Sequence, residues 1–591
     1  MGKKRTKRFV CDFETSTPEF YLKDGYARVW AWSLTDIDGE ENIKYGNEID
    51  SLLMLFENRV DDIIVYFHNL KFDGQYLTWA LEDRNFEWKY YDPKDKSKKP
   101  EHTYTTLITD MGAWYQMQIY YSDHKITIRD SLKLYNMSVD TIAKSLGFDM
   151  QKLDLDYERY RPVGYELTPH EVDYITHDVE IVSKALKTLF DEGHTKLTIG
   201  SNALADFKKR TPNFKELFPE LSDQEDAFVR CSYKGGFTYA NPIHRDRHYK
   251  KHGVVFDYNS LYTSILYNEM MPYGKGVEFE KRYKYDPEYP LYVQRIFCDF
   301  KLKKGKIPSL QLKHNVNFLP TEYIEEGEDI ELTLASPDLE LFFEQYDVNV
   351  IFWDGGYKYK ARDDMFKNYI DYWSERKIQA KKEGNKTMYL VSKLFMNSLY
   401  GKFGTNPHGF MKRPKKHEDG AITFEPFDDN TRKSVYVPVA TFTTAYGRKK
   451  IIEACQYIRD WSISHKGYDA WTYSDTDSIH AFLNKHDVRT ISLKLGVDDY
   501  KLGYLKLESE FTEAKYLHSK CYMERMTDGN LNVCIAGLPK KLAPIMTFKN
   551  FKQGFSTKDL PQDYLDSIGH KLTYKAVKGG VLLAKIDFTI K

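Results

Sequence analysis

Short apolar runs that end in acidic residues recur along this chain, and they constrain its fold more than any other feature. Arg8-Phe-Val-Cys-Asp-Phe-Glu14 alternates with the period of a half-buried strand, which puts Asp12 and Glu14 on one face and Cys11 and Phe13 on the other. Residues 28–35 and 62–67 read as further strands, the second running out into His68-Asn69-Leu-Lys-Phe-Asp73. Thr168-Pro169-His170-Glu171 supplies an N-cap, a proline at the first helical position and an acid in the first turn. The helix that follows carries Val172, Ile175, Val179, Val182 and Leu186, with Tyr174 and Asp178 at i and i+4 on a shared face. A mixed sheet with flanking helices is therefore expected up to about residue 190.

A second unit is expected from near residue 200. Residues 253–258 read as a strand leading into a helix at 260–268, and 275–360 are rich in strand and turn patterns. Residues 363–383 and 387–400 read as two helices joined by Gly384-Asn385. Residues 404–435 are polar, with Pro407, Pro414 and Pro426, and read as an irregular insertion. A helix over 448–464, a hairpin over 469–474 and 478–482, and a strand-rich end over 534–591 complete the pattern.

Asp257 leaves one of these strands, and Tyr473-Ser-Asp475-Thr-Asp477-Ser478 spans the hairpin turn, so only folding brings the two together. On the helix over 387–400, Lys393, Asn397 and Tyr400 form one stripe and Val391, Phe395 and Leu399 the opposite, buried one. A lysine, an amide and a tyrosine on one face suit phosphate, backbone and base stacking.

Charge supports a local reading of that stripe. Lysine plus arginine total 86 and aspartate plus glutamate 87 in 591 residues, so a nucleic-acid surface has to concentrate its positive charge. From Arg376 to Lys402 there are seven basic residues and one acid, Glu383. Six cysteines without CxxC or zinc spacing read as reduced thiols of a cytosolic protein. No apolar run approaches a membrane span. The start, Met1-Gly-Lys-Lys-Arg-Thr6, fits both a myristoylation pattern and a basic solvated tail.

Each feature alone also has an ordinary structural reading. Asp12-x-Glu14 fits a solvated strand edge, His68–Asp73 an Asx-rich turn, Asp178 an exposed helix face, and the lysines a solvated one. Asp475–Asp477 fits a Ca²⁺ loop, but without the glycine and twelfth-position glutamate of an EF-hand.

Together, Asp12-x-Glu14, Asn69-x₃-Asp73 and Tyr174-x₃-Asp178 resemble the three exonuclease motifs of proofreading DNA polymerases. Asp257-x₂-Ser260-Leu261-Tyr262, Lys393-x₃-Asn397-Ser398-x-Tyr400-Gly401 and Tyr473-Ser-Asp-Thr-Asp-Ser478 resemble motifs A, B and C of family B DNA polymerases. Thr444-Ala-Tyr-Gly-Arg448, Lys520-Cys-Tyr522 and Tyr233-Lys-Gly235-Gly236 resemble three further motifs of that family. In size and motif order the chain is similar to the protein-primed replicases of phi29-type bacteriophages. One departure is Thr263, where the family usually has proline.

The resemblance implies an α/β and α+β multidomain fold: a ribonuclease-H-like 3′–5′ exonuclease domain over 1–198, then a right-hand polymerase over 199–591. Its palm would span 199–268 and 437–534, a first insertion contacting a terminal protein 269–368, the fingers 369–404, a second insertion for strand displacement 405–436, and the thumb 535–591. It implies Mg²⁺, two ions per site and replaceable by Mn²⁺, held by Asp12, Glu14, Asp73 and Asp178 in one site and by Asp257 and Asp477, with Asp475 nearby, in the other. Tyr174 would orient the attacking water and Lys152 would sit near the scissile phosphate. Thr15, His68, Asn69, Ser131 and Leu132 would hold a single-stranded 3′ end. Ser260, Leu261, Tyr262, Lys393, Asn397 and Tyr400 would bind the incoming nucleotide, Tyr262 by excluding a 2′-hydroxyl. Tyr233, Gly235, Gly236, Ser398, Gly401, Thr444, Arg448, Lys520 and Tyr522 would contact DNA. The implied partners are primer-template and single-stranded DNA, deoxynucleotides and a terminal protein, for a monomer without membrane attachment in the cytoplasm of an infected bacterium. A nuclease whose C-terminal half only binds DNA, or a non-enzymatic binding protein, leaves the second set of acids and the Lys393–Tyr400 stripe without a use.

Overall fold

The computed structural model describes residues 6–16, 25–92, 95–147, 155–156, 159–311, 323–407, 409–429, 434–538, 540–561, 565, 571–577 and 580–590. The Met1–Arg5 start and Lys152 lie outside the described residues.

The N-terminal unit is built on an eight-stranded mixed sheet. Its strand Lys7–Thr15 lies between Val29–Asp36, antiparallel, and Ile63–Phe67, parallel, and the latter runs parallel to Lys125–Asp130. The period-2 alternation does what the sequence predicts. Phe9, Cys11 and Phe13 enter a core shared with Leu52 and Leu53 of helix Ile49–Glu57 and Leu77 of helix Leu70–Asp83. Val10 turns to the other face and packs with Val179 and Val182 of helix Pro169–Asp191. Asp12 and Glu14 share the parity of Val10, so they leave the sheet on the side of that helix. The helix begins as expected: Thr168 and Glu171 form a capping box, with proline in the first turn.

The central unit is a seven-stranded sheet in the order Leu531–Ile535, Cys521–Met526, Leu505–His518, Gly253–Tyr258, Ser478–Ala481, Trp471–Asp475, Thr238–Ala240. Helix Val437–Lys466 packs beside it, about 45 Å long at 1.5 Å per residue. Sequence patterning starts this helix at 448, because Val-Pro-Val-Ala-Thr-Phe-Thr-Thr has strand propensity. Burial overrides it, since Val437, Val439, Phe442 and Ala445 are all fully enclosed.

Two further sheets flank the centre. One joins Met271–Phe279, Tyr346–Arg362, Leu291–Leu302 and Glu326–Ala335. It also holds a helix, Ser336–Gln345, whose Pro337 opens its first turn and which the strand-rich reading of 275–360 does not include. The other sheet corrects the reading of 404–435 as irregular. Gly409–Lys416 and Ile422–Asp429 form a regular hairpin that pairs onward with Lys571–Val577 and Gly580–Ile586. Pro414 and Pro426 lie inside its strands. The hairpin also leans on the N-terminal sheet: the Asp110 N–H donates to the Phe410 carbonyl (3.1 Å), and Phe424 packs edge-on against Trp114 at 5.3 Å.

Helices Lys367–Lys382 and Lys386–Ser398 form the expected pair, joined through Gly384 at φ 68°. Val391, Phe395 and Leu399 are buried while Lys393 and Asn397 are exposed, as their periodicity requires.

Candidate active sites

The first acidic centre lies where the parallel strands end. After Phe67 the chain turns through Asn69 in the left-handed region (φ 77°) and enters helix Leu70–Asp83, whose first turn carries Asp73. Asp130 locks this corner, its Oδ1 accepting the N–H groups of Asn69 and Leu132, both at 3.0 Å. Sequence reasoning missed Asp130; its position at the end of a strand parallel to Ile63–Phe67 is visible only in the sheet. His68 donates from Nε2 to the Met137 carbonyl at 2.7 Å, and its Nδ1 lies 3.0 Å from the Ser131 hydroxyl. Burial lowers the His68 pKa, against the opposing pull of the Met137 carbonyl, Asp130 and Asp178.

Asp73 is 2% exposed, and its Oδ1 has no hydrogen-bond partner among the described residues. Burial pushes its pKa well above the carboxylate range, and the charges of Asp12, Asp130 and Glu14 push it further. Tyr174 and Asp178 lie on the buried face of helix Pro169–Asp191, Tyr174 against Trp30 and Ala31. Thr15, Asn69 and Leu132 remain at least partly open to solvent, whereas Ser131 is 1% exposed and donates its hydroxyl to the Phe67 carbonyl.

The second centre is set by strand register. Ser478 is the partner of Asp257 on one side and of Asp475 on the other, so a single position brings both carboxylates to one end of the sheet. Thr476 makes the turn at φ 60°, and the Tyr258 N–H donates to the Asp477 carbonyl (2.8 Å). Burial raises the Asp257 pKa to about 6, with Asp477 and Glu508 adding to it and Lys506 and Lys393 opposing. Asp477 is raised for the same first reason, burial. Asp475 has other company. The Lys520 ammonium lies 3.2 Å from one of its oxygens, and the Thr238 hydroxyl donates to the other at 3.0 Å.

Around this centre, Ser260 takes the left-handed region (φ 52°) and starts the buried turn of Leu261. The Tyr262 and Tyr400 rings meet at 4.4 Å. Two glycines make room for Tyr262: a Cβ at Gly236 would lie 2.8 Å from its hydroxyl, and one at Gly447 3.0 Å from its ring. Tyr233 fills the space a Cβ on Gly404 would need. Gly235, Gly401 and Ser398 are accessible, as are Lys520 and part of Tyr522. Thr263, the departure from the family pattern, donates its hydroxyl to the Met396 carbonyl at 3.2 Å, a bond that proline cannot make.

Two expected DNA contacts are corrected. Arg448 is 2% exposed, and its guanidinium grips Asp338 through two bonds and the carbonyls of Lys234 and Gly235 at 2.9 and 2.7 Å. Thr444 is equally enclosed and donates its hydroxyl within its own helix. Neither side chain reaches a surface; Arg448 ties its helix to two other segments, and Thr444 bonds only within its helix. Sequence reasoning also missed Lys377, Lys506 and Glu508. Lys377 has its pKa lowered by burial and then by Lys393, Lys381 and Lys506, which marks a crowded, poorly solvated cluster of positive charge suited to an anion.

Buried carboxylates that repel one another, one of them with an orphaned oxygen, fit an oxygen-ligated divalent cation such as Mg²⁺. Among the described residues no three His, Cys, Asp or Glu side chains are drawn together as a finished ligand set.

The comparisons with known proteins supply the class. The chain matches the family described as "DNA polymerase type B, organellar and viral" over residues 53–167 and 154–492, and it belongs to that family. Within it, the likeness to phage enzymes runs the full length. The chain is 37% identical to the DNA polymerase of Bacillus phage Nf over 612 residues, covering 99% of this chain and 100% of that protein. The crystal structure of phi29 DNA polymerase superimposes with a TM-score of 0.87 at 36% identity, covering 99% of this chain and 100% of that one. The same polymerase complexed with primer-template DNA and incoming nucleotides gives 0.86 at 37% identity, with the same coverage. No helix among the described residues is long and apolar enough to cross a membrane.

Proposed function

We propose that this DNA polymerase replicates phage DNA from a protein primer, displaces the non-template strand, and proofreads with a separate 3′–5′ exonuclease. The observation that carries the reading is the pair of separate acidic centres on two sheets, the second facing a lysine-bearing helix pair. In this reading residues 1–198 are the exonuclease domain and 199–591 the polymerase. The palm takes 199–268 and 437–534, the fingers 369–404, the thumb 535–591, and the two insertions 269–368 and 405–436. The first insertion would receive a terminal protein, and the second would part the strands and keep the template enclosed. The solved complexes of phi29 polymerase with primer-template DNA, single-stranded DNA and incoming nucleotides support DNA and deoxynucleotides as partners. The site of action would be the cytoplasm of the infected host, with the enzyme acting as a monomer.

In synthesis the primer 3′-oxygen attacks the α-phosphorus of a nucleotide, and pyrophosphate leaves. Asp257 and Asp477 would hold Mg²⁺, or Mn²⁺ in its place, with Asp475 kept in line by Lys520. Bound there, the two cations would stabilise the attacking and leaving oxygens. Lys393 and Lys377 neutralise the triphosphate, and Glu508 balances Lys506 beside Asp257. Tyr262 closes the space a 2′-hydroxyl needs, Tyr400 backs it, and Asn397, Ser260 and Leu261 shape the same pocket. Lys520 and Tyr522 steady the primer terminus, while Tyr233, Gly235, Gly236, Ser398 and Gly401 line the duplex. In trimming, water attacks the terminal phosphodiester and a nucleoside monophosphate leaves. Asp12, Glu14, Asp73 and Asp178 would hold the cations. Tyr174 would orient the water, Lys152 is expected near the scissile phosphate, and Thr15, His68, Asn69 and Leu132 would cradle the strand end, with buried Ser131 supporting His68.

Extension of a labelled primer on a single-stranded circle with Mg²⁺ tests this. Products many times the circle length, with trimming when nucleotides are withheld, are expected. Products that stop at one circle would remove strand displacement, and trimming alone would remove the polymerase reading.

A further inference from the structure

The tip of the fingers helix pair returns to the central sheet at one aromatic contact. The Lys381 ammonium lies 5.1 Å from the centroid of the Tyr500 ring. Tyr500 is 81% exposed and stands on the segment between helix Lys485–Leu495 and strand Leu505–His518. An exposed tyrosine there has little packing duty, and among the described residues its ring meets another element at Lys381.

The segment beneath it is firmly built. Asp498 Oδ1 accepts the N–H groups of Tyr500 and Lys501 at 2.8 and 2.7 Å. The Lys450 ammonium donates to the Gly503 carbonyl at 2.8 Å. Gly503 sits at φ 75°, where an added Cβ would also lie 2.6 Å from Ser264. The main anchor is Asn259. Its Nδ2 donates to the carbonyls of Asp498 (2.8 Å) and Lys501 (3.2 Å). Its N–H donates to the Tyr504 carbonyl, and its carbonyl accepts from the Gly503 N–H, both at 2.9 Å. Asn259 immediately precedes the left-handed Ser260, from which Leu261 and Tyr262 hang. One short segment therefore touches the tip of the fingers pair at one end and the proposed nucleotide turn at the other.

We propose that residues 497–504 form a latch: Tyr500 holds the tip of the fingers pair against this segment through Lys381, and Asn259 passes that hold to the Ser260–Tyr262 turn. The proposal rests on the polymerase reading above and deepens it. Tyr500 and Lys381 touch no reacting atom; they are positioning residues. A latch of this kind sets where the lysines of the fingers pair stand relative to the proposed nucleotide turn and leaves the chemical step alone, so it acts on KM and not on kcat.

Single-nucleotide incorporation by the full chain, on a primed template across nucleotide concentrations, tests it. Tyr500→Ala is expected to raise KM about two- to fivefold, the range an exposed cation–π contact supports, with kcat unchanged. Tyr500→Phe keeps the ring and should behave as wild type, which a loss through misfolding would not allow. Lys381→Met should raise KM as well, and adding it to Tyr500→Ala should raise KM no further than Lys381→Met alone. The nucleotide concentration at which synthesis balances trimming should shift by the same factor as KM. Wild-type KM in Tyr500→Ala, or full additivity in the double variant, would overturn the latch. Failure of the wild-type chain to extend the primer would instead overturn the polymerase reading, and the same assay tells the two apart.

Discussion

The two acidic centres solve one electrostatic problem in opposite ways. In the first, Asp73 is buried and the largest charge effects on it come from other acids, Asp12, Asp130 and Glu14. In the second, Asp257 also meets acids, but Lys506 lies 3.8 Å away and Lys393 acts in the same sense. Asp475 is clasped by Lys520. The second centre thus sets lysines against its acids, as a site proposed to receive a triphosphate would need, whereas in the first Lys133 pairs with Asp130 and not with Asp73. In the proposed reading the first would handle a single phosphodiester at a strand end, where carboxylates dominate. The difference teaches that similar acid sets are tuned by the charge of what they must accept.

Separate tuning predicts separate failure. Asp477→Ala should lower synthesis by roughly 10³-fold or more while trimming persists, because several kcal/mol of charge stabilisation depend on the cation it would hold. Asp178→Ala should do the reverse. Primer extension and 3′ degradation on the same substrate measure both. Loss of both activities from either substitution, in a chain whose melting is unchanged, would merge the two centres into one.

The metal-free protein gives a second separation. A carboxylate whose folded pKa is raised costs stability only when ionised. The cost starts above the unfolded pKa, near 4, and stops growing once pH passes the folded value. For Asp257, raised to about 6, Asp257→Asn should leave stability unchanged near pH 4 and gain up to about 3 kcal/mol by pH 6, then level off. For Asp73, which burial and neighbouring acids also raise, Asp73→Asn should likewise gain stability as pH rises above about 4. Chemical denaturation with a chelator present, from pH 4 to 8, reads both curves. A gain for either variant that does not change with pH would remove that carboxylate as a strained group of its centre.

With metal present the same shift has a kinetic face. Protons compete for Asp257 below about pH 6. The Mg²⁺ concentration that half-saturates synthesis should therefore rise about tenfold per unit as pH falls further. A half-saturating concentration that stays flat from pH 7 to pH 5 would remove Asp257 as the titrating ligand.

Much of this was legible in the sequence because it follows local periodicity. The alternation around Asp12 and Glu14, the capping box at Thr168, and the Lys393–Tyr400 stripe each depend on a few neighbours. What was not legible depends on register or burial. Asp130, Lys506 and Glu508 matter because a neighbouring strand brings them to a site. Arg448 and Thr444 follow a motif but sit inside the protein, since helix Val437–Lys466 begins well before its pattern turns helical and is enclosed there. The hairpin over 409–429 was hidden by two prolines that its strands accommodate.

The smallest expected effect separates the centres by shape. Tyr262 is wedged between Tyr400 and the two glycines Gly236 and Gly447, so in the proposed role its ring would have no room to retreat from a 2′-hydroxyl. Tyr262→Val removes the ring and opens that space, at the cost of the packing with Tyr400. Ribonucleotide incorporation relative to deoxynucleotide should rise about five- to tenfold, the low end of what one lost steric contact supports. Tyr262 belongs to the second centre, so the relative trimming of ribonucleotide and deoxynucleotide ends should not change. Competition between the two nucleotide types on one template, paired with trimming of matched ends, measures both ratios. Equal discrimination in wild type and variant would take the gate away from Tyr262 and assign it to the backbone around Ser260, which a side-chain change at 262 leaves in place.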